Sequence, residues 1–363
     1  MDFFKSLVNQ TLSRTREATL SMMGINDAAL RAHIKAQMHD EVGKEGCFLA
    51  DPQFEHTFGW EESTTTLGDL RGNLLSPELI DTLDAATKYN FKKTIKPYAH
   101  QLEAWNTLLD PMPKSTVITS GTGSGKTECF MVPILDDLIR ENIETDSALL
   151  GVRALFLYPL NALINSQQER LNEWTAPFGK KIRFALYNGK TEQSETKVRK
   201  EQKERPNQIL SRELMRKEPA PLLMTNSTML EYMLVRQVDS PILAISKKNK
   251  SLRWIVLDEA HTYIGSQAAE LSLLLRRVIL AFGKKSEEIR FIATSATIAE
   301  SGAEERLRSF LADLAGVEKS NVYVIGGKRQ IPALTTPKST NSLGLSELKG
   351  IEKSEEVSSE RYQ

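Results

Sequence analysis

The segment Ser120-Gly121-Thr122-Gly123-Ser124-Gly125-Lys126-Thr127 follows directly on the β-branched run Thr116–Thr119 and precedes a helical pattern. Glycines let a backbone curl until successive N–H groups converge on phosphate oxygens. A helix starting at that point adds free N–H groups and the positive end of its dipole. Lys126 can reach the β and γ phosphates of a nucleoside triphosphate, and Thr127 can ligate Mg²⁺. Ser120 stands where the usual phosphate-loop pattern has its first glycine. The physical context of strand, glycine loop, Lys-Thr and helix is intact, and a ligand-free turn would not need Lys-Thr at a helix start. A second group, Asp258-Glu259-Ala260-His261, ends the apolar run Leu252–Leu257. Two carboxylates there sit at the carboxyl edge of a sheet, where open α/β folds bind ligands. Asp258 would hold the Mg²⁺ shell, and Glu259 would position or deprotonate an attacking water. A bare Asp-Glu pair could also open a helix through its dipole. The upstream phosphate loop favours the chemical reading. His261 has no partner histidine at helical spacing and is not an obvious metal ligand.

The elements that must position these groups are legible from residue 95 onward. Short apolar runs (Thr116–Thr119, Ala154–Tyr158, Ile182–Tyr187, Leu222–Thr225, Trp254–Leu257, Phe291–Thr294, Val322–Ile325) alternate with helical patterns near 127–141, 161–174, 227–236, 266–282 and 302–315. Strands without polar alternation, separated by helices, predict a parallel sheet covered on both faces. Residues 1–45 read as helical, from the spacing of Phe3, Phe4, Leu7, Val8 and Leu12 and the later Ala, Leu, Ile and Met. Packing on its own domain is favoured over a membrane-surface role, because the polar face carries acids as well as bases. Residues 46–76 read as irregular, with Ser76 capping and Pro77 opening a short helix through Ala86. The chain therefore divides into a mainly helical extension (1–90), an α/β domain (91–330) and a polar linker or frayed tail (331–363).

The 363 residues carry 47 Lys+Arg against 47 Asp+Glu. Zero net charge excludes a polycationic coat, not a local basic face. Two cysteines exclude a disulfide framework, and no Cys/His set suggests zinc. The reducing cytoplasm is the simplest compartment. No apolar run reaches a membrane span, and the start does not read as a signal peptide.

The motifs in order resemble the superfamily 2 helicases of the DEAD/DEAH-box kind, in their first RecA-like, ATP-binding domain. The resemblance rests on Pro97-Tyr98-Ala99-His100-Gln101, the phosphate loop, Tyr158–Gln167, Thr225–Leu230, Asp258-Glu259-Ala260-His261 and Ser295-Ala296-Thr297, and covers roughly residues 90–330. Serine in the first glycine position is common in that family. The text after the acidic motif, Thr262–Gln267 into Leu273–Arg277, is closest to the large helicase-related subgroup.

The resemblance implies a RecA-like fold, with ATP and Mg²⁺ as cofactors. It assigns the loop backbone at Gly121, Thr122, Gly123, Ser124 and Gly125 to phosphate, Gln101 to the adenine edge, and His261, Ser295 and Thr297 to coupling nucleotide state to nucleic-acid grip. Tyr89 and Phe91 are candidates to stack on the base, although core packing is the simpler role for both. Asn161, Asn165, Gln167, Thr225, Asn226 and Ser227 would hold the phosphate backbone of DNA or RNA, with plain helix capping as the alternative. The segment 180–217 holds twelve basic residues against five acidic ones, a local +7. It would either lie along nucleic acid or form a solvated helix with i,i+4 pairs such as Glu195–Arg199 and Glu201–Arg205. Trp105, Trp174 and Trp254 read as core.

ATP turnover in the family needs arginines from a second RecA-like domain. No Gln/Arg-Gly-Arg cluster stands between Thr297 and Gln363, where Lys328-Arg329 is the only late basic pair on a Gly-rich turn. The chain therefore reads as the ATP-binding half of a nucleic-acid-dependent ATPase, its second domain supplied in cis or in trans. The alternatives are a translocase subunit of a restriction or phage-defence complex and a nucleotide-dependent regulatory module without unwinding.

Overall fold

Strand residues that alternate in direction but are all apolar must meet a core on each side. A computed structural model of the chain describes residues 3–39, 42, 44–47, 49–50, 58–121, 123–159, 161–263, 265–295 and 302–331. The side chains of residues 3, 4, 161–163, 165 and 166 lie outside the described set.

Contacts group the chain into two compact units, residues 1–58 and 59–363. In the first unit, α1 (Phe3–Met22) and α2 (Ala28–Gln37) form a helical pair. Leu12 and Leu20 are buried, Arg16 donates to the carbonyls of Lys35 and Met38, and Glu17 pairs with Arg31 and Lys35.

In the second unit, residues 59–98 contain a 3-10 turn (Gly68–Leu70) and α3 (Pro77–Ala85). They belong with the sheet because Leu67, Leu70, Leu75, Leu79 and Leu83 bury in its core. The hydroxyl of Ser76 does not cap α3. Its backbone N–H instead donates to the buried Asp136 at 2.6 Å. Then follow α4 (Ala99–Leu108), β1 (Ser115–Thr119), α5 (Lys126–Thr145), β2 (Ala154–Leu157), α6 (Asn161–Thr175), β3 (Phe184–Tyr187), α7 (Arg199–Glu204), β4 (Gln208–Ile209), α8 (Arg212–Lys217) and β5 (Leu222–Thr225). The rest is α9 (Ser227–Val235), α10 (Ser240–Lys248), β6 (Trp254–Leu257), α11 (Ser266–Ala281), β7 (Arg290–Ser295), α12 (Ala303–Ala315) and β8 (Val322–Gly326).

The eight strands lie in the order β4-β3-β5-β2-β6-β7-β1-β8, and every pair is parallel. Successive residues serve opposite cores. Phe156, Met224, Val256 and Ile292 face α3, α4, α5 and α6, whereas Leu155, Leu223, Ile255 and Phe291 face α9, α11 and α12. This is the parallel sheet covered on both faces that the sequence predicted. Trp105, Trp174 and Trp254 are core residues, each at most 2% exposed. Among the described residues no helix is long and apolar enough to cross a membrane.

The end of α6 fastens the turn at residues 87–89. Burial alone would raise the Glu173 carboxyl. The Thr87 hydroxyl and the backbone N–H groups of Tyr89, Thr87 and Lys88 outweigh burial and hold it at about 2. A carboxyl depressed in this way adds stability above its unfolded value of about 4.3, which is lost as pH falls through the folded value. Urea denaturation should therefore show stability falling from about pH 5 toward pH 2, and Glu173→Gln should flatten part of that fall. Phe156, fully buried in β2 against Phe130, tests the sheet core. Phe156→Ala should cost about 3–5 kcal/mol in the same measurement.

Candidate functional site

The phosphate loop leaves β1 and turns into α5 through two glycines in the left-handed region, Gly123 (φ 75°) and Gly125 (φ 72°). At Gly125 the need is also spatial, since a Cβ there would lie 2.1 Å from Nε2 of Gln101. Ser124 donates to the hydroxyl of Ser120 at 2.5 Å. The serine in the first glycine position thus closes the loop on itself. His100 sits behind the loop with Nε2 2.8 Å from the Ser124 carbonyl. Burial pushes its imidazole below the usual value, against the opposing effect of that bond. Oε1 of Gln101 accepts the N–H of Tyr98 at 2.9 Å, and Nε2 donates to the Gly125 carbonyl at 3.2 Å. One amide hydrogen and one lone pair remain for a base edge.

The acid pair leaves β6 one strand away from β1, with β7 between them. The register sets Leu257 beside Ala293 and Thr119 beside Ser295, so the loop and the acids emerge at one edge. Thr294 joins the carboxylates. Its hydroxyl donates to Oδ1 of Asp258 at 2.5 Å and accepts the Glu259 N–H at 2.9 Å. Glu259 has φ 51°, a left-handed conformation that costs a non-glycine residue energy. Nδ1 of His261 lies 3.3 Å from Oε2 of Glu259. Burial raises the Asp258 carboxyl. Thr294 opposes the rise, the Glu259 charge adds to it, and the Lys126 charge lowers it again.

Lys126, Thr127 and Glu259 line one cavity of about 580 Å³, with Gln101, Tyr98 and Phe91 on its walls. Of the two stacking candidates, Phe91 reaches this cavity and packs edge-on to Trp105. Tyr89 instead lies under the Arg170 guanidinium at 5.2 Å. Ser295 is buried, and its hydroxyl has no hydrogen-bond partner among the described residues. Thr122 and Thr297 lie outside the described residues. Thr294, His100 and the ion pair of Arg170 with Glu128 at 3.2 Å were not singled out in the sequence. The available signal for Thr294 was a hydroxyl at the end of a strand facing the acidic strand.

The nucleic-acid candidates separate. Thr225 is fully buried and donates to the Tyr187 carbonyl at 2.7 Å. That hydroxyl is spent inside the fold, which corrects the expectation that it holds phosphate. Asn226 caps α9, accepting the Met229 N–H at 2.8 Å. Ser227 is half-buried at the first position of that helix, and Gln167 is half-buried in α6. Asn161 and Asn165 lie in α6, their side chains outside the described set. Because β2 and β5 are neighbours, the starts of α6 and α9 share an edge. In the basic segment, Lys181, Arg183, Lys197, Arg216 and Lys217 pair with Asp146, Glu218, Glu192, Asp239 and Glu195. Neither expected i,i+4 pair is present among the described residues.

Residues 98–305 match the DEAD/DEAH box helicase family. The Druantia protein DruE of Escherichia coli is 27% identical over 344 residues, covering 68% of this chain and 18% of that protein. The uncharacterized ATP-dependent helicase YprA of Bacillus subtilis is 31% identical over 206 residues, covering 56% of this chain and 23% of that protein. The chain thus spans about a fifth of the length of these relatives. The crystal structure of the DUF1998 helicase MrfA bound to DNA superposes with a TM-score of 0.52 at 23% identity, over 73% of this chain and 29% of that one. With the phosphate loop and the paired acids meeting at one sheet edge inside the matched span, the chain belongs to the DEAD/DEAH box helicase family.

Proposed function

We propose that this chain is the ATP-binding half of a nucleic-acid-dependent ATPase of the helicase type, working with a second RecA-like lobe. The carrying observation is the Thr294 hydroxyl, which joins Asp258 to the backbone of Glu259 while Lys126 and Glu259 line one cavity. A nucleoside triphosphate bound there would lay its phosphates on the backbone N–H groups of residues 121–125, with Lys126 on the β and γ groups. Hard oxygen donors suit Mg²⁺, and the donors at hand are the Thr127 hydroxyl and the half-buried Asp258 carboxyl. The bound ion would supply charge neutralisation at the phosphoryl oxygens.

Glu259 is the base that orients the attacking water. His261 lies against the same carboxylate and can sense its state. Gln101 reads the base edge with the hydrogen-bonding capacity that Tyr98 and Gly125 leave over. Phosphate contacts at the starts of α6 and α9, through Asn161, Asn165, Gln167, Asn226 and Ser227, would hold a strand of DNA or RNA without reading its sequence. An arginine from the second lobe would contribute on the order of 10³–10⁵ in rate.

Three substitutions test this reading. Lys126→Ala should abolish ATP binding in a calorimetric titration with Mg²⁺. Glu259→Gln should bind ATP as the parent does and lose turnover in the assembled enzyme, and parental turnover there would remove Glu259 from its role. Thr294→Val should bind nucleotide and turn over about 10–100-fold more slowly, the range for losing a hydrogen bond that orients a ligating carboxylate.

A further inference from the structure

Residues 59–63 form a strap that the proposed chemistry does not use. On one side it pairs with the chain leaving β8. Trp60 bridges Arg329 in antiparallel fashion, Glu61 N–H donates to the Lys328 carbonyl at 2.9 Å, and Gln330 N–H donates to the Gly59 carbonyl at 2.8 Å. On the other side it pairs with the segment that opens α4. Ser63 N–H donates to the Pro97 carbonyl at 2.8 Å, and Ala99 N–H donates to the Glu61 carbonyl at 2.8 Å.

The indole of Trp60 is 8% exposed and sits where these segments meet. The Arg329 guanidinium lies 3.6 Å from its ring centroid, and His100 meets it edge-on at 5.8 Å. His100 in turn holds the Ser124 carbonyl. The loop backbone rests directly on the ring, since a Cβ added at Gly121 would lie 3.3 Å from it and one at Gly327 2.6 Å. A side chain at Gly327 would clash with the indole and one at Gly121 would crowd it, so the phosphate loop and the β8 exit both approach the same ring closely.

We propose that Trp60, clamped between Arg329 and His100, is a positioning residue for the phosphate loop and ties that loop to the segment leaving β8. The inference rests on the assignment of residues 120–127 to phosphate. Trp60 touches no reacting atom in this scheme. It acts by holding Gly121 from one side and, through His100, Ser124 from the other. A loop whose N–H groups are already aimed at phosphate has less ordering to do when nucleotide binds.

The test is binding of a fluorescent ADP analogue with Mg²⁺ by the full chain, with melting temperature recorded in parallel. Trp60→Leu should weaken binding about tenfold, the scale a largely desolvated cation–π contact supports, and Trp60→Phe should restore most of it. Arg329→Gln should weaken binding in the same direction. Hydrogen exchange gives the second readout. In the parent, nucleotide should slow exchange at the amides of Glu61, Ser63 and Ala99 as well as in the loop, and in Trp60→Leu only in the loop. Parental affinity in Trp60→Leu, or equal weakening in the Leu and Phe variants, overturns the proposal, as does nucleotide protection that never reaches the strap. Failure of the parent itself to bind nucleotide would sink the ATP assignment instead.

Discussion

In an all-parallel sheet every strand delivers its carboxyl end to the same edge, and that constraint decides where chemistry can occur in this chain. β1 ends in the glycine loop, β6 ends in the acid pair, and β7 lies between them in register with both. The separation between cation-bearing loop and carboxylates is therefore fixed by two strand spacings of about 4.8 Å each. Thr294, at the end of the middle strand, can reach the acids because of that placement. The helices cover both faces of the sheet and leave the edge to the loops.

The site is held in conformations that would be unfavourable elsewhere. Gly125 adopts a left-handed backbone against the Gln101 amide, and Glu259 adopts one despite its side chain. Burial makes the charged form of Asp258 costly, and the neighbouring Glu259 adds to that cost. The Thr294 hydroxyl offsets part of it by donating to Asp258 and fixes the Glu259 backbone by accepting its N–H. Strain of this kind persists where surrounding packing over-determines the geometry, and here β6 is buried throughout while β1 and β7 are buried except at Thr119 and Arg290. The loop has its own supports in His100 and Gln101 and in the hydroxyl pair of Ser120 and Ser124.

The sheet was legible because its strands are short, β-branched and apolar on both faces. The run at 222–225 and the run at 254–257 have the same limits in sequence and structure. The two-residue β4 and the six-residue helices α7 and α8 are too short to show a period, and α10 was passed over. Residues 59–76 look irregular in sequence yet contribute Leu67, Leu70 and Leu75 to a core built mostly by distant elements. Within the site, residue types pointed to the loop, the lysine and the acids. Thr294 and His100 were missed because a threonine or histidine signals nothing until tertiary structure supplies its partner. Thr225 shows the reverse: a hydroxyl at the right place along the chain can point into the fold.

The basic segment is where composition alone misleads most. Its excess of cations suggests a continuous electrostatic surface. Five of the twelve are paired with acids from 146 to 239, several far along the chain. Arg212 lies over the Tyr187 ring and donates to the Asn188 carbonyl. Arg183, Arg212 and Arg216 are thereby drawn into the fold and have less to offer a phosphate, whereas Lys181, Lys197 and Lys217 sit in exposed surface pairs. The exposed remainder, including Lys190, Arg199, Lys200, Lys203 and Arg205, is a modest charge on a chain that is neutral overall. With so little bulk field, affinity for a nucleic-acid backbone would have to come from short-range contacts at helix starts. Contacts of that kind depend on loop geometry, and the loops that would make them leave the same sheet edge as the glycine loop and the acid pair.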